Sequence, residues 1–125
     1  MLLNIKPEND TPIYIQVRDQ IVEGVATGEL KPGDPLPSVR GFARDLGVNY
    51  HTVNKAYALL RDEGYVNMRG RKGAAIAPLP IADEAFIKDI EERLLKIIAE
   101  ARSKGMKSKD IVRIADALSK GEEKK

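Results

Sequence analysis

A chain of 125 residues, 42% of them hydrophobic, is long enough for one folded domain and a small appendage. It has no cysteine, which excludes disulfides and thiolate metal sites, and its aromatic share of 5% disfavours single-strand or RNA readers, which depend on stacking platforms. The net charge is only +2, so overall basicity announces no polyanionic partner; no apolar run approaches the ~18–20 residues of a membrane span, and the start MLLNIKPEND lacks the apolar region of a signal peptide.

Residues 1–10 read as an extended arm in which Leu2, Leu3 and Ile5 are able to pack. Thr11-Pro12 reads as a helix start, with Thr11 as cap and Pro12 at the first helical position. Tyr14, Val17, Ile21 and Val25, reinforced by Val22, form the inner face, while Gln16, Asp19, Gln20 and Glu23 face water. Gly28 ends this helix. The segment Leu30 to Leu36 is a connection punctuated by proline and glycine, with Leu30 and Leu36 anchored inward. Three prolines in residues 32–37 fix the approach to Ser38.

Ser38 can cap a second helix, on which Val39, Phe42, Ala43 and Leu46 share one face. Gly47 stops it, because glycine takes the left-handed cap conformation without a Cβ penalty. Val48 is a lone apolar residue in the turn. Asn49 can cap a third helix, whose core face is Val53, Ala56, Tyr57 and Leu60. The opposite face carries His51, Asn54, Lys55 and Ala58, with Tyr50 at the entry, and Gly64 ends the helix. Polar side chains at the start of a second helix are what base-edge recognition in the major groove requires. Residues 65–68 and 74–77 then predict two strands joined by Arg69-Gly70-Arg71-Lys72-Gly73. Three cations on a glycine-flexed tip suit the minor groove or its flanking phosphates. From Ser38 to Ile76 seven cations stand against three anions, a net +4, so the positive field is local.

Pro78-Leu79-Pro80 is a stiff boundary. Beyond it, Asp83 can cap a helix from Glu84 to about Lys104. Ile87, Ile90, Leu94, Ile97 and Ala101 alternate at spacings of three and four, and Phe86, Leu95 and Ile98 widen the stripe. Gly105 breaks this helix. Ser108 can cap another, with Ile111, Ile114, Ala115 and Leu118 on one face and Lys120-Gly121 at its end. A two-helix unit buries only one side of such stripes. It must therefore fold back on the preceding domain or pair with a second copy, and the seam-like spacing favours pairing.

Residues 12–77 resemble the winged helix-turn-helix of the GntR family of bacterial and archaeal transcription regulators. The matching segments are PIYIQVRDQI, GELKPGDPLPSVR and GVNYHTVNKAYALLRDEGYV, followed by the wing. The NxxTVxKAY phrasing and short tail resemble the YtrA-like subfamily. In that family the Arg of LPSxR, the turn with the early recognition helix, and the wing tip contact DNA. The resemblance thus points to Arg40, Asn49, Tyr50, His51, Thr52, Asn54 and the wing tip. It also implies a dimer built by the short C-terminal helices. The family wing usually ends GxGTFV, whereas this chain reads RKGAAIA.

The expected fold is mainly α with a small β-hairpin. Its parts are an arm (1–10), a winged helix-turn-helix domain (11–78) and a C-terminal two-helix dimerisation hairpin (79–125). The expected partner is double-stranded DNA, at a pseudo-palindromic operator whose half-sites lie ~34 Å apart. Asn54 and His51 are the base-edge readers, Arg40 contacts a base or phosphate, and Ser38, Tyr50, Thr52 and Lys55 position the helix. Arg69, Gly70, Arg71 and Lys72 hold the flanking backbone. Phe86, Ile87, Ile90, Leu94, Ile97, Ile98, Ala101, Ile111, Ile114 and Leu118 form the homodimer seam. The resemblance implies a cytoplasmic repressor of its own or a transporter operon. About 45 residues follow the wing, so neither a conventional deep effector pocket within one tail nor a cofactor domain is expected; a small site at a dimer interface stays open, and any small-molecule effector is unidentified. His51 is the sole imidazole, no P-loop or nucleophile motif occurs, and neither a metal, a cofactor nor an enzymatic reaction is expected. The competing expectation is a winged helix that docks another protein without specific DNA binding.

Overall fold

The structure, a computed structural model, describes residues 4–70 and 73–124, with side chains as far as residue 121. Leu2, Leu3, Arg71 and Lys72, named above, lie outside the described residues. The chain divides into two compact units, Met1–Pro80 and Ile81–Lys125.

The first unit holds three helices and a three-stranded antiparallel sheet: α1 Ile13–Thr27, β1 Pro35–Leu36, α2 Val39–Leu46, α3 Tyr50–Asp62, β2 Val66–Met68 and β3 Ala74–Ile76. Its core is aliphatic with two rings. Val17 and Ile21 of α1 meet Phe42 and Ala43 of α2, and Val53, Ala56, Tyr57 and Leu60 of α3; Leu30, Leu36, Val66 and Ile76 close it. Val48 packs against this core from the turn. Gly24, also buried, makes room for the connection: a Cβ there would sit 2.8 Å from Leu30 Cδ1.

The caps of α2 and α3 follow the sequence. The Ser38 hydroxyl accepts the Gly41 N–H at 3.0 Å, and Asn49 Oδ1 accepts the His51 N–H at 2.7 Å. Gly47 takes φ +69° and allows the turn between the two helices. The start of α1 differs from expectation. Pro12, not Thr11, occupies the cap and no side chain serves it; the Thr11 carbonyl instead accepts from Gln16 Nε2 at 2.8 Å.

Gln16 and Gln20 also do more than face water. Gln20 accepts the Asn4 N–H at 2.7 Å and donates to the Asn4 carbonyl at 2.8 Å. Gln16 does the same at Lys6, at 2.8 and 3.0 Å. The carboxamide offers one acceptor and two donors, so each glutamine imitates a neighbouring strand and clamps the arm along α1. Ile5 packs on the core between these two points.

The expected hairpin is present but shorter than read, and it gains a strand. β3 is central, with β2 on one side and β1 on the other. Pro35 pairs with Ala75 and Leu36 with Ala74; Val66, Asn67 and Met68 pair with Ile76, Ala75 and Ala74. Proline is tolerated in β1 because that strand is an edge and one face needs no donor. All three residues of β3 are buried, which accounts for the small side chains of Ala74 and Ala75. The tip is closed by Arg69 N–H donating to the Gly73 carbonyl at 2.7 Å.

The second unit is a pair of helices, α4 Glu84–Ser103 and α5 Ser108–Lys124. Asp83 caps α4, accepting from the Phe86 N–H at 2.8 Å. Ser108 is the first residue of α5 rather than its cap; Asp110 takes the Lys107 N–H at 3.3 Å. The helix also runs through Gly121 to Lys124 instead of stopping at Lys120-Gly121. No residue of α4 is buried, and Phe86, Ile87, Leu94, Leu95 and Ile97 are among the exposed large apolar side chains, as are Ile114 and Leu118 of α5. Ile90, Ile98, Ala101 and Ile111 are half-buried.

Candidate nucleic-acid interface

The end of the β1 connection, α2 and the start of α3 are locked together by one buried tyrosine. Tyr57 reaches across the core from α3, and its hydroxyl donates to the Pro37 carbonyl at 2.8 Å, next to the Ser38 cap. Its ring sits 6.0 Å from that of Phe42. Burial holds the Tyr57 phenol well above its ordinary range, so it stays a neutral donor. The spacing of apolar residues assigned Tyr57 only to the core. The signal that could have found its second role is chemical: a buried tyrosine hydroxyl requires a partner.

This lock sets Arg40, on the first turn of α2, beside the entry of α3. The Arg40 guanidinium carbon lies 5.1 Å from the centroid of the Tyr50 ring. The His51 ring meets Tyr50 edge-on, at 5.4 Å and 79°. An open groove of about 240 Å³ runs from here to the wing, lined by Ser38, Arg40, Tyr50, Tyr57, Met68 and Gly70 among others. Met68, absent from the sequence-based set, lines this groove at the end of β2 and is 40% exposed.

The predicted residues divide by what they touch. Arg40, Tyr50, His51 and Gly70 gather around the groove or its rim, and Arg69 adjoins Gly70 on the wing. Asn54 is exposed one turn along α3 and Thr52 is half-buried. Ser38 and Asn49 each use one oxygen lone pair on a cap, and the Ser38 hydroxyl hydrogen and the Asn49 amide hydrogens are left for an outside acceptor. Lys55 leans the other way: its ammonium lies 4.2 Å from the ring centroid of Tyr14 on α1.

The arginines sort by charge partner. Arg18 is bound on both forks by Glu63 at 2.8 Å and by Asp19 at 2.9 Å, which together hold its pKa above the usual arginine value. Arg61, Arg93 and Arg113 also pair with carboxylates. Among the described residues, Arg40, Arg44, Arg69 and Arg102 have no carboxylate within salt-bridge distance and all four are exposed; Arg102, in the second unit, donates to the Ser108 hydroxyl instead. Cations left without internal counter-charge around a helix N-terminus make a surface suited to an external polyanion. Among the described residues no group of three or more His, Cys, Asp or Glu is placed to hold a metal, and no helix is long and apolar enough to cross a membrane.

Comparison with known proteins agrees with this geometry. Residues 13–76 match the family described as bacterial regulatory proteins, gntR family. The chain is 36% identical over 107 residues to the transcriptional repressor YtrA of Bacillus subtilis, covering 84% of this chain and 82% of that one. Among solved structures it superposes on a transcriptional antiterminator from Listeria monocytogenes with a TM-score of 0.89, at 29% identity, over 95% of this chain and 90% of that one. YtrA from Sulfolobus acidocaldarius, described as a GntR-family transcription factor, superposes with a TM-score of 0.65 at 43% identity, over 77% of this chain and 99% of that one. The DNA-binding domain of AraR in complex with its operator ORR3 matches 62% of this chain and 93% of its own, with a TM-score of 0.52 at 25% identity.

Proposed function

The chain belongs to the GntR family of bacterial regulatory proteins, and from that premise we propose that it is a homodimeric repressor that binds a pseudo-palindromic operator and blocks transcription of its own or a transporter operon. The observation that carries this reading is Arg40, exposed and without a carboxylate partner among the described residues, set against Tyr50 at the start of α3 on a groove that runs to the wing at Gly70. In this reading α3 enters the major groove. Asn54 and His51 read base edges, Arg40 takes a base or phosphate, and Ser38, Asn49, Tyr50 and Thr52 set the register, with Lys55 at the margin. The wing, Arg69 to Lys72, holds the neighbouring backbone. The similar AraR DNA-binding domain, seen in complex with an operator, supports duplex DNA as the partner.

The domains follow the same division of labour: residues 11–78 bind DNA and 79–125 pair two copies. Pairing would cover the apolar stripes of α4 and α5 and place two recognition helices ~34 Å apart, one turn of DNA. It also doubles the phosphate contacts, which offsets the modest charge of one chain. The protein works in the cytoplasm, where its operator is, and needs neither cofactor, metal nor a catalytic step.

The test is selection of duplexes from a random library, followed by fluorescence anisotropy and a salt titration. Enrichment of a two-fold symmetric site, with affinity falling steeply in salt, is expected. Failure to enrich any sequence would refute specific operator recognition.

A further inference from the structure

We propose that Tyr50 is a positioning residue: its ring is a platform that holds the Arg40 guanidinium in place and presents the fork of N–H donors to a pair of acceptor atoms on DNA. The inference rests on the DNA-binding reading above and specifies how Tyr50 sets the register there: through Arg40 rather than by a contact of its own.

Three observations carry it. The Arg40 guanidinium lies 5.1 Å from the Tyr50 centroid, within the range of a cation–π contact. The Tyr50 ring is itself braced, because His51 meets it edge-on at 5.4 Å and the Asn49 cap fixes the backbone at the start of α3. Arg40 has no carboxylate partner among the described residues, in contrast to Arg18, whose donors Glu63 and Asp19 consume.

The chemistry follows from the difference between the two kinds of partner. A carboxylate would orient Arg40 but occupy its N–H groups and cancel its charge. An aromatic face orients the guanidinium through its π surface, leaving the donors at its edge free and its charge intact. A free arginine loses much rotamer entropy when it binds, and a stacked one has lost part of it already. The fork is then ready for two acceptors in one plane, either the O6 and N7 of a guanine or two phosphate oxygens. Tyr50 is 40% exposed, so the platform sits at the surface where such acceptors arrive.

The experiment is a double-mutant cycle with Tyr50→Ala, Arg40→Ala and the pair, plus Tyr50→Phe, in the full chain. Affinity is read on the selected duplex and on random duplex. Tyr50→Ala is expected to weaken binding about two- to fivefold, and to have no further effect once Arg40 is alanine. Tyr50→Phe regains most of that loss, since the ring and not the hydroxyl is required. A loss confined to the selected duplex places the acceptors on a base edge, and an equal loss on both places them on phosphates. Equal damage from Phe and Ala, or a Tyr50→Ala loss that persists without Arg40, would overturn the platform. A reading without DNA separates this from failure of the binding reading. In NMR of the free protein the Arg40 side-chain protons are expected to be shifted by the Tyr50 ring current, to keep that shift in Tyr50→Phe and to lose it in Tyr50→Ala. An Arg40 signal insensitive to Tyr50→Ala would also overturn it.

Discussion

Leu94→Asp puts a carboxylate in the middle of the α4 stripe, between Ile90 and Ile97. In the single chain Leu94 is 47% exposed. Full burial of a leucine contributes ~1.5–3 kcal/mol, so covering the remaining half contributes about 0.7–1.4 kcal/mol per copy and about 1.4–2.8 kcal/mol for two. Aspartate forfeits that and brings two desolvated like charges towards a two-fold seam. The apolar loss alone raises the dimer Kd roughly ten- to a hundredfold, and with the charges at least a hundredfold is expected. Leu94→Ala, which keeps the helix and adds no charge, should lie about tenfold above wild type. Sedimentation equilibrium at micromolar protein measures both. The first unit should melt unchanged, because Leu94 belongs to the other compact unit. On DNA the monomer makes half the phosphate contacts, so the salt slope should fall by about half. An unaltered dimer constant for Leu94→Asp would refute the assignment of this stripe as the seam.

The other expectations concern the first unit. Tyr57→Phe removes the 2.8 Å bond to the Pro37 carbonyl and should cost about 0.5–1.5 kcal/mol, seen as a melting point lower by several degrees. Because burial raises the Tyr57 phenol pKa, the folded chain keeps a proton that the unfolded chain gives up. Its contribution to stability is therefore complete below pH ~10 and is lost as the pH climbs beyond it; the Phe variant should lack that part of the alkaline decline. Gln20→Ala strips both bonds to Asn4, so amide exchange at Asn4 should quicken several-fold while exchange in α3 stays the same; an unchanged Asn4 rate would disprove the clamp. Asn54→Ala should cost about 1–3 kcal/mol and blur one base step, whereas Arg69→Ala should weaken selected and random duplexes alike and lower the salt slope by about 1. Equal losses on both duplexes for both variants would show the roles to be misassigned.

Most of the helical architecture could be read along the chain because its causes are local. An apolar period of 3.6, a capping Ser38 or Asn49 and a glycine at a left-handed position act within one or two turns of themselves. The exposed polar face of α3, the candidate recognition surface, was legible for the same reason: its residues are those the core spacing leaves outside. The errors fell where competition between local signals had to be settled from elsewhere. Thr11 looked like a cap, yet its carbonyl is drawn to Gln16 and Pro12 takes the position. Gln16 and Gln20 looked solvated until the arm returned to occupy them.

By itself, then, the sequence determined which segments are helices, where they stop, which faces are apolar and which cations cluster before the wing. Tertiary structure alone decided the rest. β1 exists only because Ala74 and Ala75 arrive beside Leu36 and Pro35 from some forty residues away. The Tyr57 bond to Pro37 joins residues 20 apart. Arg40 and Tyr50 become one unit only when the turn folds α2 against α3. Periodicity and caps act over a few residues, whereas strand pairing, ring stacking and a buried hydroxyl's partner depend on which distant atoms the packed core brings within reach.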